Sequence, residues 1–314
     1  NFHRYVFDIP VQGEPDMIQD IWTEVTRNVC AEREAAGWPD WSPAEFAAKR
    51  EVMDYRVMER LCNRVSEMVK DPATAEALKP YYRYLCKRPA SNDDFYLCFN
   101  QDNVKLIDVA ETRGLEALTE NGFMYKGEEF EIDCLIMASG YEVTSDLDRR
   151  WGIETIEGTN GLSIYDYWRE GFQTFQGMTA HNFPNMFFTG FTQASFNASN
   201  SKTFIDQGFH IGYIASEALK RGAVRVEPSQ EAQDAYISYL RSIAVDNSTY
   251  VNECTPSYFN NEGDDTKKRH IFGEPWGEGY YAFMDLWDSL QKGRAGGELR
   301  GLVLPSAPAA DPAE

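Results

Sequence analysis

The sequence predicts an α/β protein, and two alternating patterns support that fold class. In the first, apolar residues recur at intervals of three and four, as on one face of a helix; it covers much of 1–80, then 203–221, 229–243 and 279–292. In the second, short apolar runs are typical of buried strands; they lie at 95–99, 104–108, 129–139 and 185–191. Helices flanking buried strands indicate an α/β fold, although these strands are fewer than a complete doubly wound domain needs.

Local start signals place several helices. Asp16 is predicted to cap a helix that follows it, and the run 42–45 supplies an N-cap serine, a proline at the first helical position and an acid at the third. The pair Asp71-Pro72 ends that helix and starts a short one, and Ser229 caps a later one. The Pro/Ala-rich tail, 305–314, is predicted to be disordered.

Composition limits the classes of function. The chain is 43% hydrophobic and 14% aromatic, which is enough for a sizeable core. Its formal net charge is −20, so nucleic acid and anionic membrane surfaces are poor partners. Small molecules are therefore the expected ligands, bound where local basic residues interrupt the acidic surface.

Cysteine and histidine usage favours a cytoplasmic protein without a metal site. The six cysteines are scattered and form no Cys-x-x-Cys pair, so they are interpreted as reduced thiols. The four histidines have no metal-ligand spacing. No apolar run reaches the roughly 18 residues of a membrane span, and no secretory signal is present. The start at Asn1, inside a Phe/Tyr-rich stretch, is consistent with truncation.

The common catalytic and phosphate-binding loops are absent from the sequence. No Gly-x-Gly-x-x-Gly or Walker-type loop follows a predicted strand, and no Gly-x-Ser-x-Gly elbow occurs. The glycines at 273–279 surround Pro275 and Trp276 and follow no clear strand. The residues alone therefore indicate no self-contained catalytic constellation.

Four runs nevertheless suggest ligand contact, each with a plain structural alternative. DCLIMASGYEV at 133–143 is an apolar strand ending at Gly140, where backbone can approach a ligand closely, or it is an ordinary strand end. GFTQASFNASNS at 190–201 can present backbone N–H groups and amides to a planar ligand, or it is a surface loop. ECTPSYFNNEG at 253–263 is an aromatic pocket wall or a turn.

The fourth run contains two adjacent cations, Lys87 and Arg88, between apolar residues and a proline. In a strongly acidic protein such a pair suggests an anion site, and the arginine fork and the mobile lysine suit a phosphorylated cofactor. The alternative is a solvated basic turn paired to Asp93 and Asp94.

Together these runs resemble the C-terminal part of Baeyer–Villiger monooxygenases. The resemblance covers about 71–304 and rests on four ordered stretches: 79–109, 133–143, 177–197 and 253–263. It implies a partial flavoprotein of two dinucleotide-binding domains, which uses FAD, NADPH and O2 to convert a ketone into an ester or lactone. The implied organisation is a helical insert at 1–80, the end of the NADP domain at 81–140 and part of the FAD domain at 141–304.

The resemblance also assigns roles residue by residue. Arg88 matches the catalytic arginine that stabilises the anionic flavin peroxide, and Lys87 matches a lysine near the 2′-phosphate of NADPH. Ser139 and Gly140 fall on the second linker between the two domains. The remaining implied contacts are with cofactor at Thr192, Gln193, Asn197 and Tyr258, and with substrate at Phe196.

The sequence departs from the family pattern at several points. Ser139 stands where threonine is usual, Phe191 where a proline often follows the strand glycine, and Tyr258 where some members have tryptophan; the last two favour the branch acting on larger or cyclic ketones. Both glycine-rich loops, the fingerprint around a histidine and the active-site aspartate of the N-terminal half are missing. The chain alone is therefore expected to be inactive.

Two other functions remain open from the sequence. One is N- or S-oxygenation on the same architecture, against which the CKRP stretch and the helical insert argue. The other is a non-catalytic binding module. The ketone, the regiochemistry and the oligomeric state are not determined by the sequence.

Overall fold

The computed structural model describes residues 1–9, 12–141, 146–246, 248–264, 274–291 and 301–305. The chain divides into two units. The first unit comprises Asn1–Ile9 and Val143–Glu314, and the second comprises Pro10–Glu142.

The elements are mixed α and β, which confirms the predicted fold class, but helices dominate. The helices are α1 (Phe2–Val6), α2 (Glu24–Ala35), α3 (Pro43–Met68), α4 (Pro72–Leu78), α5 (Phe95–Cys98), α6 (Leu147–Trp151), α7 (Ile164–Tyr167), α8 (Asn200–Lys220), α9 (Gln230–Ser242), α10 (Ser248–Glu253) and α11 (Gly279–Gln291). The strands are β1 (Ala117–Leu118), β2 (Gly122–Tyr125), β3 (Glu128–Glu131), β4 (Glu227–Pro228) and β5 (Leu302–Val303). Short 3₁₀ segments lie at Thr159–Gly161 and Tyr258–Gly263.

The second unit is built on the packing of α2 against α3. Their apolar faces form a core with Val25, Val29, Met53 and Val57 at its centre. The predicted cap of α3 is confirmed. The Ser42 hydroxyl accepts a hydrogen bond from the backbone N–H of Glu45, the third helical residue, and the Glu45 carboxylate accepts one from the Ser42 backbone N–H. The caps at Asp71 and Ser229 are confirmed as well.

The cap predicted at Asp16 is wrong, because α2 begins at Glu24. The Asp16 carboxylate is buried and instead accepts hydrogen bonds from the Thr23 hydroxyl at 2.5 Å and from Arg27 at 2.6 Å. These bonds fold the preceding turn onto the helix start and lower the pKa of Asp16 against the opposing effect of burial. The residue therefore supports the start of α2 from outside the helix.

A three-stranded antiparallel sheet, in the order β1-β2-β3, completes the second unit. Its hairpin pairs Phe123 with Phe130, and their rings stack at 5.1 Å. This sheet is short and lies before the long apolar run that the sequence predicts as a buried strand.

Three of the predicted strands in or near this unit are wrong or too long. Residues 95–98 of the run 95–99 form α5, residues 104–108 have no regular structure, and the strand predicted at 129–139 stops at Glu131. Beyond it Ile136 is 83% exposed and Tyr141 is 96% exposed. A strand needs neighbours for its backbone groups, and 132–141 finds none among the described residues.

The first unit has an aromatic core in two parts. One part packs Trp168 and Phe172 against Phe183 and Phe188, and the other packs α9 against α11 through Leu240. Some of these aromatic rings belong to helices, and others belong to the irregular segment 172–194. The centre of the core therefore includes non-helical chain.

The strand predicted at 185–191 is wrong, and its backbone bonds to isolated backbone and side-chain groups instead of to a neighbouring strand. Asn185 exchanges two hydrogen bonds with Val226: its N–H donates to the Val226 carbonyl at 2.8 Å, and its side-chain oxygen accepts at 2.9 Å. At the other end Gln207 of α8 accepts the Gly190 N–H at 2.9 Å and donates to the Gly190 carbonyl at 2.7 Å. At Gly190 an amide side chain thus replaces the neighbouring strand.

The cysteines differ in their redox state. Cys30, Cys62, Cys98 and Cys134 form no disulfide, whereas Cys86 and Cys254 are disulfide-bonded, so the prediction of six reduced thiols is wrong for those two. Within the described residues no helix has the length and apolarity to span a bilayer. In the same part of the chain no group of three or more His, Cys, Asp or Glu side chains is placed to hold a metal ion. Of the tail predicted to be disordered, 306–314 lie outside the described residues.

Two buried histidines pack against aromatic residues of α11 in the first unit. The Nδ1 atom of His3 accepts the backbone N–H of Ala198 at 3.1 Å, and its ring packs on Tyr280 and Tyr281 of α11. The ring of His210 stacks on Trp287 at 4.6 Å. Burial lowers the pKa of each histidine to about 4, helped at His3 by nearby positive charge.

We expect Gly177→Ala to destabilise the protein by about 1–3 kcal/mol. Gly177 has φ +71°, and an added Cβ would lie 2.5 Å from both the Thr192 carbonyl oxygen and the Ala194 Cβ. The matched control is Gly212→Ala in α8, where an added Cβ meets nothing within 4 Å; it should stabilise by about 0.5–1 kcal/mol. Urea midpoints of both variants provide the measurement, and an unchanged midpoint for Gly177→Ala would refute the close packing.

We expect the free energy of unfolding to fall as pH drops from about 6.5 towards 4. The lowered pKa of His3 and His210 keeps both neutral in the folded state, whereas the unfolded chain takes up both protons in this window. Each contributes a slope of up to about 1.4 kcal/mol per pH unit. His3→Asn, whose amide oxygen can replace Nδ1, should remove one histidine's share. Urea unfolding between pH 4 and 8 tests this, and a flat wild-type profile below 6.5 would contradict it.

Candidate functional site

The two predicted cations lie next to each other in an irregular segment of the second unit. Arg88 is exposed, and its guanidinium stands 5.8 Å from the centre of the Trp22 ring. Lys87 is half-buried, with its ammonium 5.8 Å from the centre of the Tyr82 ring. Aromatic faces favour both cations, and among the described residues no carboxylate pairs with Arg88, so the segment presents its positive charge on an acidic protein.

The backbone that leads to this pair is anchored to α3. Asp54, fully buried on that helix, accepts the Tyr84 N–H at 2.9 Å and the Arg83 Nε–H at 2.9 Å. The Tyr84 hydroxyl then donates to the Trp22 carbonyl at 2.6 Å. A rigid helix thus fixes the chain four residues before Arg88 through charge-assisted hydrogen bonds.

The alternative of a basic turn neutralised by Asp93 and Asp94 finds no support at Arg88. Within the described part of the chain, the guanidinium of Arg88 forms no ion pair with either carboxylate. Asn92 instead organises the start of α5, because its side-chain oxygen accepts the N–H groups of Asp94 and Phe95 at 2.8 and 2.7 Å. The Arg88 guanidinium can therefore meet an external anion.

Ser139 and Gly140 also belong to the second unit, in the exposed run after β3. Gly140 has φ +85°, a conformation that favours glycine, and an added Cβ would meet nothing within 4 Å. The backbone here is open to close approach by another group, which agrees with the sequence prediction of a ligand-facing glycine without testing it.

In the loop at 190–201, Gln193 is fully buried and its amide is saturated. Its oxygen accepts from the Thr174 N–H at 2.8 Å and from the Thr174 hydroxyl at 2.7 Å. Its nitrogen donates to the Phe172 carbonyl at 2.9 Å and to Glu274 at 3.0 Å. The side chain has no hydrogen-bonding capacity left for a cofactor, so any cofactor contact at this position would involve the backbone.

The other predicted residues of this loop are less enclosed. Thr192 is half-buried, and its hydroxyl donates to the Gly177 carbonyl at 3.4 Å. The Phe196 ring lies between those of Phe7 and Phe191, 5.6 and 5.5 Å from their centres. The loop therefore combines polar backbone with an aromatic cluster.

Asn197 organises the turn into α8. Its N–H donates to the Thr203 hydroxyl at 2.8 Å, and its side-chain oxygen accepts the Ser199 N–H at 3.0 Å. Its side-chain amide nitrogen forms no hydrogen bond within the described residues. Asn197 thus shapes the helix start and keeps one donor group for a ligand.

Tyr258 starts the 3₁₀ segment Tyr258–Gly263 and is half-buried. Its ring tilts against that of Phe259 at 4.3 Å. Ser257 and Asn260 close the segment through reciprocal capping bonds, so the aromatic pair lies on an ordered turn.

The structure thus groups the predicted residues by unit. One loop of the first unit contains Thr192, Gln193, Phe196 and Asn197. Tyr258 lies in the same unit, outside that loop. Lys87, Arg88, Ser139 and Gly140 belong to the second. Sequence reasoning missed the residues that hold these segments, namely Asp54 and Gln207. A polar residue on the apolar stripe of a predicted helix was the available signal for both.

The described residues fit the anionic part of FAD or NADPH in one respect and not in another. An exposed guanidinium without a carboxylate partner among them suits phosphate or another anion. The saturated amide of Gln193 does not suit a cofactor, and the printed sequence contains no Gly-x-Gly-x-x-Gly loop to bind a pyrophosphate. The described residues thus offer an exposed positive charge and an aromatic loop, and the printed sequence contains no phosphate-binding loop.

Comparison with known proteins gave consistent relatives. The chain is 34% identical over 306 residues to pentalenolactone D synthase of Streptomyces arenae. The aligned residues are 97% of this chain and 51% of that protein. It is 37% identical over 265 residues to a Baeyer–Villiger monooxygenase of Streptomyces coelicolor, covering 84% of this chain and 43% of the relative. The chain thus spans about half the length of the curated relatives it matches. No family model matched.

Solved structures agree in shape. The polycyclic ketone monooxygenase of the thermophilic fungus Thermothelomyces thermophila matches with a TM-score of 0.79 and 28% identity, over 97% of this chain and 49% of that one. A closed structure of cyclohexanone monooxygenase matches with a TM-score of 0.65 over 82% of this chain and 46% of that one; at 22% identity it shows the fold alone. With homology along nearly its whole length, the chain belongs to the Baeyer–Villiger monooxygenase family and corresponds to a C-terminal part of such an enzyme.

Proposed function

We propose that this chain is part of an NADPH- and FAD-dependent enzyme that inserts one oxygen atom of O2 into a ketone, giving an ester or lactone. The observation that supports this most is the similarity of 97% of the chain to curated relatives and to one solved ketone monooxygenase. The exposed, anchored Arg88 agrees with it. The chain by itself is expected to be inactive.

Bound FAD, once reduced by NADPH, would supply the activation of O2. The residues of this chain would supply charge and position. The guanidinium of Arg88 would stabilise negative charge that develops in the active site, since it is exposed, unpaired with carboxylate among the described residues and held in place through Asp54 and Tyr84. Catalytic charge stabilisation depends on such preorganisation, which α3 provides.

Lys87 has a different proposed role. Its ammonium is a mobile point charge on a long stem, which suits a phosphate better than a planar anion. We assign it to the 2′-phosphate of NADPH, so that it selects NADPH over NADH. Ser139 and Gly140 are assigned to the linker between the NADP and FAD domains, with 81–140 ending the NADP domain, 141–304 in the FAD domain and 1–80 as a helical insert.

The loop 190–201 is proposed to lie beside the flavin ring and the ketone. Its aromatic residues Phe191 and Phe196 pack with Phe7 into a cluster suited to an apolar substrate. Thr192, Gln193, Asn197 and Tyr258 complete the proposed cofactor contacts, Gln193 through its backbone. A cytoplasmic location remains a prediction.

We expect Arg88→Ala, in the complete enzyme that contains this chain, to lower ketone oxygenation about a hundred- to a thousand-fold while NADPH is still oxidised and H2O2 is released. Arg88→Lys should restore it only partly, because an ammonium lacks the planar fork. Arg64→Ala, another exposed arginine of the second unit, is the control. Product analysis with ketone, sulfide and amine substrates tests the proposal; wild-type ester formation by Arg88→Ala, or oxygenation of the sulfide or amine alone, would refute it.

We expect Lys87→Ala to weaken NADPH about ten- to a hundred-fold, because one charge-assisted contact contributes about 1.5–3 kcal/mol. Affinity for NADH should change little, and oxygenation after flavin reduction should be unaffected. Titration with both nucleotides provides the measurement. Equal loss of NADPH and NADH affinity would show that Lys87 does not meet the 2′-phosphate.

A further inference from the structure

The second half of the loop 190–201 is held by α1, which belongs to the same unit. The Ala198 N–H donates to Nδ1 of His3 at 3.1 Å, across 195 positions of the chain. Two residues before Ala198, the Phe196 ring packs edge-on against the Phe7 ring, with the ring centres 5.6 Å apart. His3 and Phe7 are four positions apart, so the same side of α1 contacts two neighbouring parts of the loop.

His3 has a fixed position on α11. It is 6% exposed, and its ring packs against the rings of Tyr280 and Tyr281, with centres 5.1 and 5.4 Å away. The Tyr280 hydroxyl in turn donates a hydrogen bond to Asp206 of α8, the helix that follows the loop. Because a buried, packed ring has little room to change its rotamer, Nδ1 of His3 stays opposite the Ala198 N–H.

One nitrogen of the His3 ring makes this contact, and it must be unprotonated to accept. Burial is the main reason why the pKa of His3 is lowered to about 4, so the ring is neutral near pH 7. Since Nδ1 accepts a hydrogen bond, the proton of the neutral ring is on Nε2. The Nε2 atom is buried and has no hydrogen-bond partner among the described residues. Substitutions that imitate one nitrogen or the other can therefore isolate the contact.

We propose that His3 is a positioning residue for ketone oxygenation, because it fixes the second half of the loop 190–201 and with it the place of the Phe196 ring. This inference rests on the proposed function, in which that loop lies beside the ketone. Which of the two carbons next to a ketone carbonyl migrates depends on how the ketone is oriented, and the pocket walls set that orientation. A displaced Phe196 ring therefore changes the ratio of the two possible esters.

A purely structural role of His3 predicts a different result, and a second histidine provides the comparison. His210 is also buried and also stacks on a ring of α11, that of Trp287 at 4.6 Å. Loss of either histidine removes a buried ring from α11, whereas the Ala198 N–H is bonded to His3. Destabilisation alone would affect both variants alike.

The test compares three substitutions in the complete enzyme that contains this chain. His3→Asn keeps an acceptor at the place of Nδ1, His3→Gln moves it to the place of Nε2, and His3→Leu removes it. The exchange rate of the Ala198 amide hydrogen is measured by mass spectrometry without ketone. The ratio of the two esters is then measured with an unsymmetrical ketone, and His210→Leu is the matched control.

We expect exchange at Ala198 to rise about fivefold or more in His3→Gln and His3→Leu, since one hydrogen bond of ordinary strength changes an opening equilibrium by about this factor. The ester ratio should change about threefold or more in the same two variants. His3→Asn should keep both quantities near those of the wild type, and all three variants should oxidise NADPH at close to the wild-type rate. His210→Leu should lower the melting temperature and leave the ester ratio unchanged.

An unchanged ester ratio in His3→Leu would overturn the proposal. So would unchanged exchange at Ala198, a His3→Asn variant that behaves like His3→Leu, or an equal change of ratio in His210→Leu. A wild-type enzyme that converts no ketone would refute the proposed function, and the selectivity role with it. The exchange rates need no ketone, so they would still show whether His3 holds the loop, and the two failures can be told apart.

A second variant tests the ring contact without changing His3. Phe7 is 39% exposed, so Phe7→Leu should change the melting temperature little. It should shift the ester ratio in the same direction as His3→Leu, because the Phe196 ring loses its neighbour on α1. A wild-type ester ratio in Phe7→Leu would overturn the assignment of Phe196 as the group that His3 positions.

Discussion

The first unit depends on buried amide side chains that hydrogen-bond to irregular backbone. Gln193, Gln207 and Gln233 are all fully buried. Each bonds to the stretch 172–194, which lies in the core without belonging to a sheet. Gln193 bonds to Phe172 and Thr174, and Gln207 bonds to Gly190. Gln233 accepts the His181 N–H at 2.8 Å. A buried peptide group without a hydrogen-bond partner lowers the free energy of unfolding by about 1–3 kcal/mol. A primary amide supplies both a donor and an acceptor, and so it can pair with a peptide as a neighbouring strand would.

This constraint also explains why the proposed cofactor loop is ordered where it enters the core. The Gln193 carbonyl accepts a hydrogen bond from the buried hydroxyl of Tyr236, whose pKa is raised by burial. Gly177 lies so close to Thr192 and Ala194 that no Cβ fits between them. The first half of the loop is therefore fixed by α9 and the core, while Phe196 and Asn197 beyond it remain partly open to a ligand.

In the second unit a single buried carboxylate has a comparable effect. Asp54 joins the middle of α3 to the backbone of Tyr84 and the side chain of Arg83. This arrangement gives Arg88 a defined position without neutralising it, and positive charge persists locally on a chain of net charge −20. Because the rest of the chain is acidic, an anionic ligand is attracted to this segment and repelled by most other parts of the surface.

The sequence by itself determined the long helices, three of their four predicted caps and the family. The caps at Ser42, Asp71 and Ser229 were predictable because a cap involves residues only three positions apart. The family followed from four ordered stretches whose combination is specific, even though no single one is. These features depend on neighbours along the chain or on sequence identity, and they need no knowledge of distant contacts.

Only the tertiary structure decided which apolar runs form strands and which polar side chains keep unused hydrogen-bonding groups. The runs at 132–139 and 185–191 have strand composition, but a strand exists only where another strand lies beside it, and among the described residues none does. Gln193 and Asn197 look alike in the sequence, yet one amide is saturated inside the core and the other keeps a donor. The hydrogen-bond partners that separate these cases lie up to 81 residues away along the chain, so local sequence carries no record of them.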